Sequence, residues 1–378
     1  MKRLLLIGGG VAHAETLVSL AEASTRNADV TLVNPRRLMP WLPLVPGLVA
    51  GHHAHSDAHY DLAALARRVK AKFIEEGVAA FDPVKRLAAT TSGQVLEFDL
   101  ASIDAEASSF DPAVEGLRQN ALLARPFDVF LEGWERIVEM MKEGKLRTLN
   151  LVGGDAWSVE LMLAMHHRLG RELGPELMRV CGFAIVTPGA RVLEDWPEEF
   201  SARIEAECFG RGISLMRGAA VTQVTRDGMQ LANGARLASD VTIWARGSHA
   251  PRWLDAAGLE RDAMGCLEVD AQLRTVRHPH VFAAGECVAR PGAEAAPTHA
   301  ALLHEARLLA RNLQAACAAQ SLGAREAAAD GPRWFALGAR AALGWQAGRL
   351  RERAPWWWWR RMVAAERKAL RRYLVPKS

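Results

Sequence analysis

Leu4-Leu5-Leu6-Ile7-Gly8-Gly9-Gly10-Val11-Ala12-His13 is the stretch that decides the fold. The apolar run Lys2 to Ile7 stops at three glycines, and helix-period apolar residues then run from Ala14 to Ala23. A second β-rich run, Asp29 to Val33, follows at the spacing of a βαβ unit. Gly8-x-Gly10-x-x-His13 carries two of the three small residues of the dinucleotide fingerprint. Gly8 permits a tight turn, and Gly10 lets the backbone approach a pyrophosphate that sits on the helix N-terminus. The third position packs helix against strand and is His13 here. Asn34 stands where an acidic residue would hold the ribose; it can still donate and accept hydrogen bonds. The alternative is a strand-to-helix turn that binds nothing.

Further along, the arrangement repeats. Thr148 to Val152 reads as a strand, Gly153-Gly154 as its turn, and Ser158 to Leu169 as the helix, with another strand at Phe183 to Thr187. Two such units about 145 residues apart imply a duplicated nucleotide-binding plan of the α/β class. Phe110 to Arg125 is polar and irregular, and reads as a crossing between domains. Leu237 to Arg246 and His280 to Ala284 are short strands ahead of glycine turns, and Ala315 to Asp330 reads as a helix end and linker.

At 378 residues, 50% hydrophobic and 24% charged, the chain fits two globular domains and an appendage. No apolar run approaches the roughly 20 residues that span a bilayer, and no signal peptide is written at the N-terminus. A cytoplasmic location is expected. The five cysteines show no CxxC spacing, which argues against a redox dithiol or a zinc ribbon. The net charge of +4 hides an asymmetry: residues 349–378 hold ten Lys/Arg and two Glu, and the rest of the chain is net negative.

Several further segments resemble the FAD-dependent pyridine nucleotide-disulfide oxidoreductase superfamily. They are Val30 to Pro35, Pro40 to Gly51 with His52, His59-x-Asp61-Leu62, Phe98 to Asp104, Arg125 to Trp134, Val241 to Gly247 and His278 to Cys287. Within it they are most similar to the type II NADH dehydrogenase-like branch, including the oxidoreductase domain fused to selenide, water dikinase. That branch commonly has a histidine at the place of His13 and often lacks the acidic ribose residue, as at Asn34. The resemblance implies two Rossmann-like domains: a discontinuous FAD domain (1–113 and 241–318), an inserted NAD(P)H-binding-like domain (114–240) and a C-terminal segment (319–378). It implies FAD contacts from Gly8, Gly10, His13, Asn34, Gly247, Gly285 and Glu286, with Pro43 in the loop walling the flavin. Glu286 stands for the usual Asp and is one methylene longer. The helix Pro297 to Leu313 is expected beside the flavin ring.

The pattern fails at the second turn, Gly153-x-Asp155-x-x-Ser158. Asp155 brings negative charge toward a nucleotide dianion, costing about 1 kcal/mol in water at 4 Å. Alternatively, Asp155 caps the helix as an N-cap residue. Trp157 adds bulk, and Arg246 replaces the threonine of the family's ATG motif. Glu160 resembles the family's helix glutamate near nicotinamide and flavin; it is either a polar contact at hydride transfer or a solvated carboxylate.

His52, His53, His55 and His59 do not match a zinc signature, so no metal is expected. Trp356-Trp357-Trp358-Trp359 beside Arg360-Arg361 suits a membrane–water boundary, or alternatively packing on the protein itself. No nucleic-acid module accompanies the basic tail. The expected activity is flavin-dependent NAD(P)H oxidation with a quinone or similar acceptor, peripheral on the inner membrane face. The competing expectation is a flavin-binding partner or oxidoreductase subunit with a degenerate nicotinamide site, using another donor or docking on another protein.

Overall fold

The structure, a computed structural model, describes residues 1–23, 28–106, 108–247, 250–262, 265–289, 298–326 and 332–374. Two five-stranded parallel sheets organise it. The first runs Val281–Ala283, Leu100–Ile103, Lys2–Ile7, Ala28–Val33, Lys72–Ile74 across its width. Its central strand is buried on both faces, because Leu4 and Leu6 enter one core while Leu5 and Ile7 enter another. Uninterrupted apolar sequence is what such a strand needs. The helix Val11–Glu22 leaves the first glycine turn and packs on the helix His299–Cys317.

The second sheet repeats the plan as Ala121–Leu123, Val241–Trp244, Thr148–Val152, Gly182–Val186, Ile213–Met216. Two sequence expectations shift here. The crossing segment 110–125 contributes an edge strand, Ala121–Leu123, and Val241–Trp244 belongs to this sheet rather than to the returning first-domain segment. Parallel pairing of both runs beside Thr148–Val152 is a long-range event that local pattern does not encode. The helix from this turn is longer than its apolar periodicity suggested, spanning Ala156–Met178 with a break at Gly174 ahead of Pro175.

The C-terminal segment joins the two halves. Its antiparallel sheet, Arg333–Ala336, Ala342–Gln346 and Arg349–Arg351, lies against the second-domain helix. At the turn, Gly338 (φ +76°) comes so close that a Cβ would stand 2.0 Å from the Leu163 carbonyl oxygen. The helix Pro355–Leu370 then returns to the first domain, burying Val363, Leu370 and Tyr373 in the core beneath Trp41. Among the described residues, no helix is long and apolar enough to cross a membrane.

Candidate functional site

Both glycine turns share one backbone frame. Gly8 N–H donates to the Val33 carbonyl (2.8 Å), and Gly153 N–H donates to that of Val186 (2.9 Å). Asp104 N–H closes the first turn on Ile7 (2.9 Å) as Ala245 N–H closes the second on Val152 (2.9 Å). Asp104 and Ala245 therefore occupy equivalent places, each one residue past the third strand of its unit.

The side chains differ. At the first turn Gly10 offers no side-chain cap, and Asp104 supplies one across the sheet. Its Oδ2 accepts from Ala12 N–H (2.8 Å) and His13 N–H (3.1 Å). Three glycines make room for it. A Cβ on Gly8 would stand 2.2 Å from the Asp104 carbonyl oxygen, one on Gly10 2.2 Å from Oδ1, and one on Gly285 2.1 Å from Oδ1. Gly8 and Gly285 also have φ of +101° and +81°, a region that disfavours side chains. Burial pushes the Asp104 carboxyl up to about 7; the two amides oppose this, and Glu286 and Glu305 reinforce it.

At the second turn Asp155 is itself the N-cap. Its Oδ1 accepts from Ser158 N–H (2.8 Å) and Ser158 Oγ–H (2.7 Å). The capping alternative read from sequence is therefore realised, with Ala245 leaving vacant the place that Asp104 fills in the first unit.

His13 and Asn34, expected at the cofactor, face inward instead. The fully buried His13 ring contacts the Gly8 carbonyl through Nδ1 (2.8 Å) and Ser102 Oγ through Nε2 (2.8 Å). A carbonyl only accepts, so Nδ1 carries the proton and Nε2 accepts from the serine. Burial lowers this imidazole to about 4, keeping it neutral. Asn34 donates to the Arg36 carbonyl (2.7 Å) and contacts Met39 Sδ (3.3 Å). Both brace the turn from behind. Pro43 is half-buried in a short turn at Leu42–Leu44, behind rather than on the cleft wall. Gly247 (φ +81°) follows the exposed Arg246 after the second sheet and does not line the cleft.

The cleft is open on one side and holds about 70 Å³ of free cavity volume. Gly10, Asp104, Gly285 and Glu286 line one part, and Pro40, Trp41, Leu42 and His299 form an apolar wall. His299 Nε2 is buried with no hydrogen-bond partner among the described residues. Bare glycine backbone, an apolar wall and an orphaned polar atom fit a dinucleotide with a flat aromatic ring.

Sequence reading passed over Arg125 as a site residue. It lines the cleft, pairs with Glu286, and holds its guanidinium 5.3 Å from the centre of the Trp157 ring. Burial works against its charge, but Glu286 and Glu106 outweigh it and raise the pKa. Arg125 thus touches the flavin motif of one domain and the glycine helix of the other. Glu160 is half-buried, and its Oε1 accepts from Ala336 N–H (2.5 Å) on the C-terminal sheet. Burial lifts its carboxyl to about 8, opposed by that amide and aided by Asp155.

Of the four histidines, His52 and His53 lie against the C-terminal helix, while the exposed His55 stacks on His59 (3.6 Å). Trp359 lies 5.6 Å from His52 and 6.2 Å from His53, ring centre to ring centre, and Trp358 packs on Trp334 (4.6 Å). Trp356 and Trp357 remain exposed, with Arg361 over Trp357 (4.8 Å). Two of the four indoles therefore pack on the protein and two face outward. Among the described residues, no group of three or more His, Cys, Asp or Glu could hold a metal ion.

With two dinucleotide-type turns meeting at Arg125, the comparisons are decisive: the signature described as pyridine nucleotide-disulphide oxidoreductase matches residues 2–316. The chain belongs to that family. Membership brings the family's flavin-dependent oxidoreductase chemistry and its FAD and NAD(P)H cofactors. An NADH dehydrogenase-like protein of Mycobacterium tuberculosis is 35% identical over 86 residues, 23% of this chain and 22% of that protein. The match thus spans about a fifth of that relative. The fold superposes on the sulfide:quinone oxidoreductase of Aquifex aeolicus (TM-score 0.82, 18% identity, 99% and 91% of the two chains). It also superposes on NDH2 of Plasmodium falciparum in complex with NADH (TM-score 0.77, 13% identity, 98% of both). Among the described residues, no disulphide joins any of the five cysteines.

Proposed function

We propose that this family member oxidises NAD(P)H through FAD and delivers the electrons to a quinone or similar small acceptor at a membrane surface. The observation that carries the proposal is Arg125, which forms part of the glycine-lined cleft and also contacts the helix of the second glycine turn. Two dinucleotide crevices sharing one wall is the arrangement that hydride transfer between them requires.

FAD, when bound, supplies the hydride-accepting and electron-donating chemistry. The protein's part is positional. Gly8, Gly10 and Gly285 leave the backbone bare where the dinucleotide would lie, and Glu286, anchored by Arg125, would hold its polar stem. Pro40, Trp41 and Leu42 exclude water from the ring side of the cleft. Gly153 and the amides around Asp155 would receive the nicotinamide nucleotide, and Glu160 would bound that crevice from below. The quinone acceptor rests on likeness to the sulfide:quinone oxidoreductase, and the peripheral, inner-face location on the exposed Trp356 and Trp357 beside Arg360 and Arg361.

The test is anaerobic addition of NADH or NADPH to the yellow protein. Bleaching of the flavin bands, and their return with a soluble quinone, is the expected result. A flavin unmoved by either nucleotide overturns it. That outcome would favour a second reading, a flavin-binding partner with a degenerate nicotinamide site, for which Asp155 and Trp157 argue. Co-sedimentation with anionic vesicles, lost in Trp356→Ala/Trp357→Ala, tests the membrane half.

A further inference from the structure

A helix N-terminus that receives a pyrophosphate offers free amides. At the first glycine turn they are not free. Asp104 reaches them from the neighbouring strand end, accepting from Ala12 and His13, and it is only 3% exposed. Its other oxygen lies against Gly10 and Gly285, so the carboxylate stands between the two glycine turns that frame the cleft. The equivalent position in the second unit is Ala245, and there Asp155 caps the helix from within the turn, leaving the far position free of a carboxylate.

We propose that Asp104 is an internal stand-in for the cofactor's pyrophosphate: when FAD binds, its carboxylate yields the helix amides and takes up one proton from solvent. The inference deepens the reading of this cleft as the flavin site and rests on it. A dianion entering beside a buried carboxylate is repelled unless that carboxylate is neutral, since two like charges at contact distance inside a protein oppose each other strongly.

The surroundings single out Asp104 as the group that changes charge. On the first helix, His13 is held neutral at about 4. Tyr60, whose hydroxyl donates to the Gly9 carbonyl (2.8 Å), is held protonated well above its ordinary value by burial. On the helix His299–Cys317, Glu305 is paired with Arg325 (2.9 Å) and accepts from Gly285 N–H (3.2 Å), while burial keeps His299 neutral at about 4. Across the cleft, Glu286 is paired with Arg125, and Glu106 with Arg36 (3.2 Å). Glu305, Glu286 and Glu106 each have a cation, whereas Asp104 has only amides; Glu366, behind the apolar wall, accepts from Trp41 Nε1–H (2.9 Å), and burial raises its carboxyl. Its carboxyl, pushed up to about 7, is poised to change charge near neutrality.

The sign follows from linkage. Below about pH 7 the carboxyl is already protonated and binding requires no proton. Above it, each pH unit weakens FAD binding, approaching tenfold per unit.

The experiment follows flavin release. Full-length protein loaded with FAD is diluted at pH 6 to 8.5, and the recovered flavin fluorescence gives the dissociation constant. It should rise by about tenfold or more over that range in the native chain and stay flat in Asp104→Asn, which binds FAD more tightly at pH 8. Calorimetric titration of FAD into the full-length apoprotein, in two buffers of different ionisation enthalpy, should count close to one proton taken up at pH 8. This holds the proposal to account even if Asp104→Asn fails to fold. A pH-independent constant with no proton uptake overturns the inference while leaving the flavin site intact. So does a pH dependence that survives Asp104→Asn and disappears in Glu286→Gln. A native chain that binds no FAD at any pH sinks the site assignment itself.

Discussion

The turns at Gly8–Gly10 and Gly153–Asp155 share a backbone frame but cap their helices from opposite directions. In the first the capping carboxylate comes from Asp104, 92 residues away and one residue past the third strand. In the second it comes from Asp155 within the turn, three residues before the Ser158 amide that donates to it, and Ala245 fills the far position. Each unit has one carboxylate on its helix N-terminus and a small residue at the alternative place. The helix needs an acceptor for its first amides; the fold is indifferent to which side provides it. A motif that looks degenerate at Asp155 is thus, structurally, the first turn with its cap relocated.

That equivalence can be broken most sharply at Gly285. Gly285→Ala places a Cβ 2.1 Å from Asp104 Oδ1 on a backbone at φ +81°. We expect a loss of about 3 kcal/mol, seen as a lower Tm, together with loss of flavin absorbance per chain. Next in size is Arg125→Met, which leaves Glu286 without its cation; about 2 kcal/mol of stability should go, measured by chemical denaturation. Nucleotide-dependent bleaching should slow in the same variant, because the contact with Trp157 goes too.

Asp155→Gly should cost a few tenths of a kcal/mol through the lost cap, while NADH binding tightens several-fold on removal of the like charge. The double variant Asp155→Gly/Ala245→Asp rebuilds the first unit's arrangement in the second and should recover most of the lost Tm. If the double variant is no more stable than the single one, the two caps are not interchangeable. Glu160 makes the comparison depend on pH. Its folded carboxyl, at about 8, holds a proton that the unfolded chain releases in the ordinary carboxylate range. Stability therefore falls as pH rises from that range toward 8 and is unaffected below it. Glu160→Gln, whose amide oxygen still accepts from Ala336, should match the native Tm near pH 4 and exceed it at pH 8.

The duplicated α/β plan was legible because its strands are short apolar runs that end at glycines, a signal contained within ten residues. Asp155 as a cap was legible for the same reason, its partner Ser158 being three residues away. What escaped lies at long range. Asp104 was visible only as the end of a family-like strand, since its amides belong to residues 12 and 13. Arg125 and Glu286 are 161 residues apart, and Glu160 meets a strand 176 residues on. His13 looked like a cofactor contact because its place in the fingerprint is right; only the position of Ser102 turns the ring inward. Four consecutive tryptophans point around a helix, and nothing local says which two meet Trp334, His52 and His53.

Glu15, one turn into the first helix, is 2% exposed, and its carboxylate is held by Arg372 (3.0 Å) and the Tyr373 hydroxyl (2.7 Å). On the ribosome it emerges 357 residues before that arginine. Until then it is an acid with no counter-charge in what will become a sealed interior, a situation worth about 3–5 kcal/mol against closure. Sealing the first helix therefore draws on residues 372 and 373, so the innermost face of one domain is closed by a segment from the far side of the other.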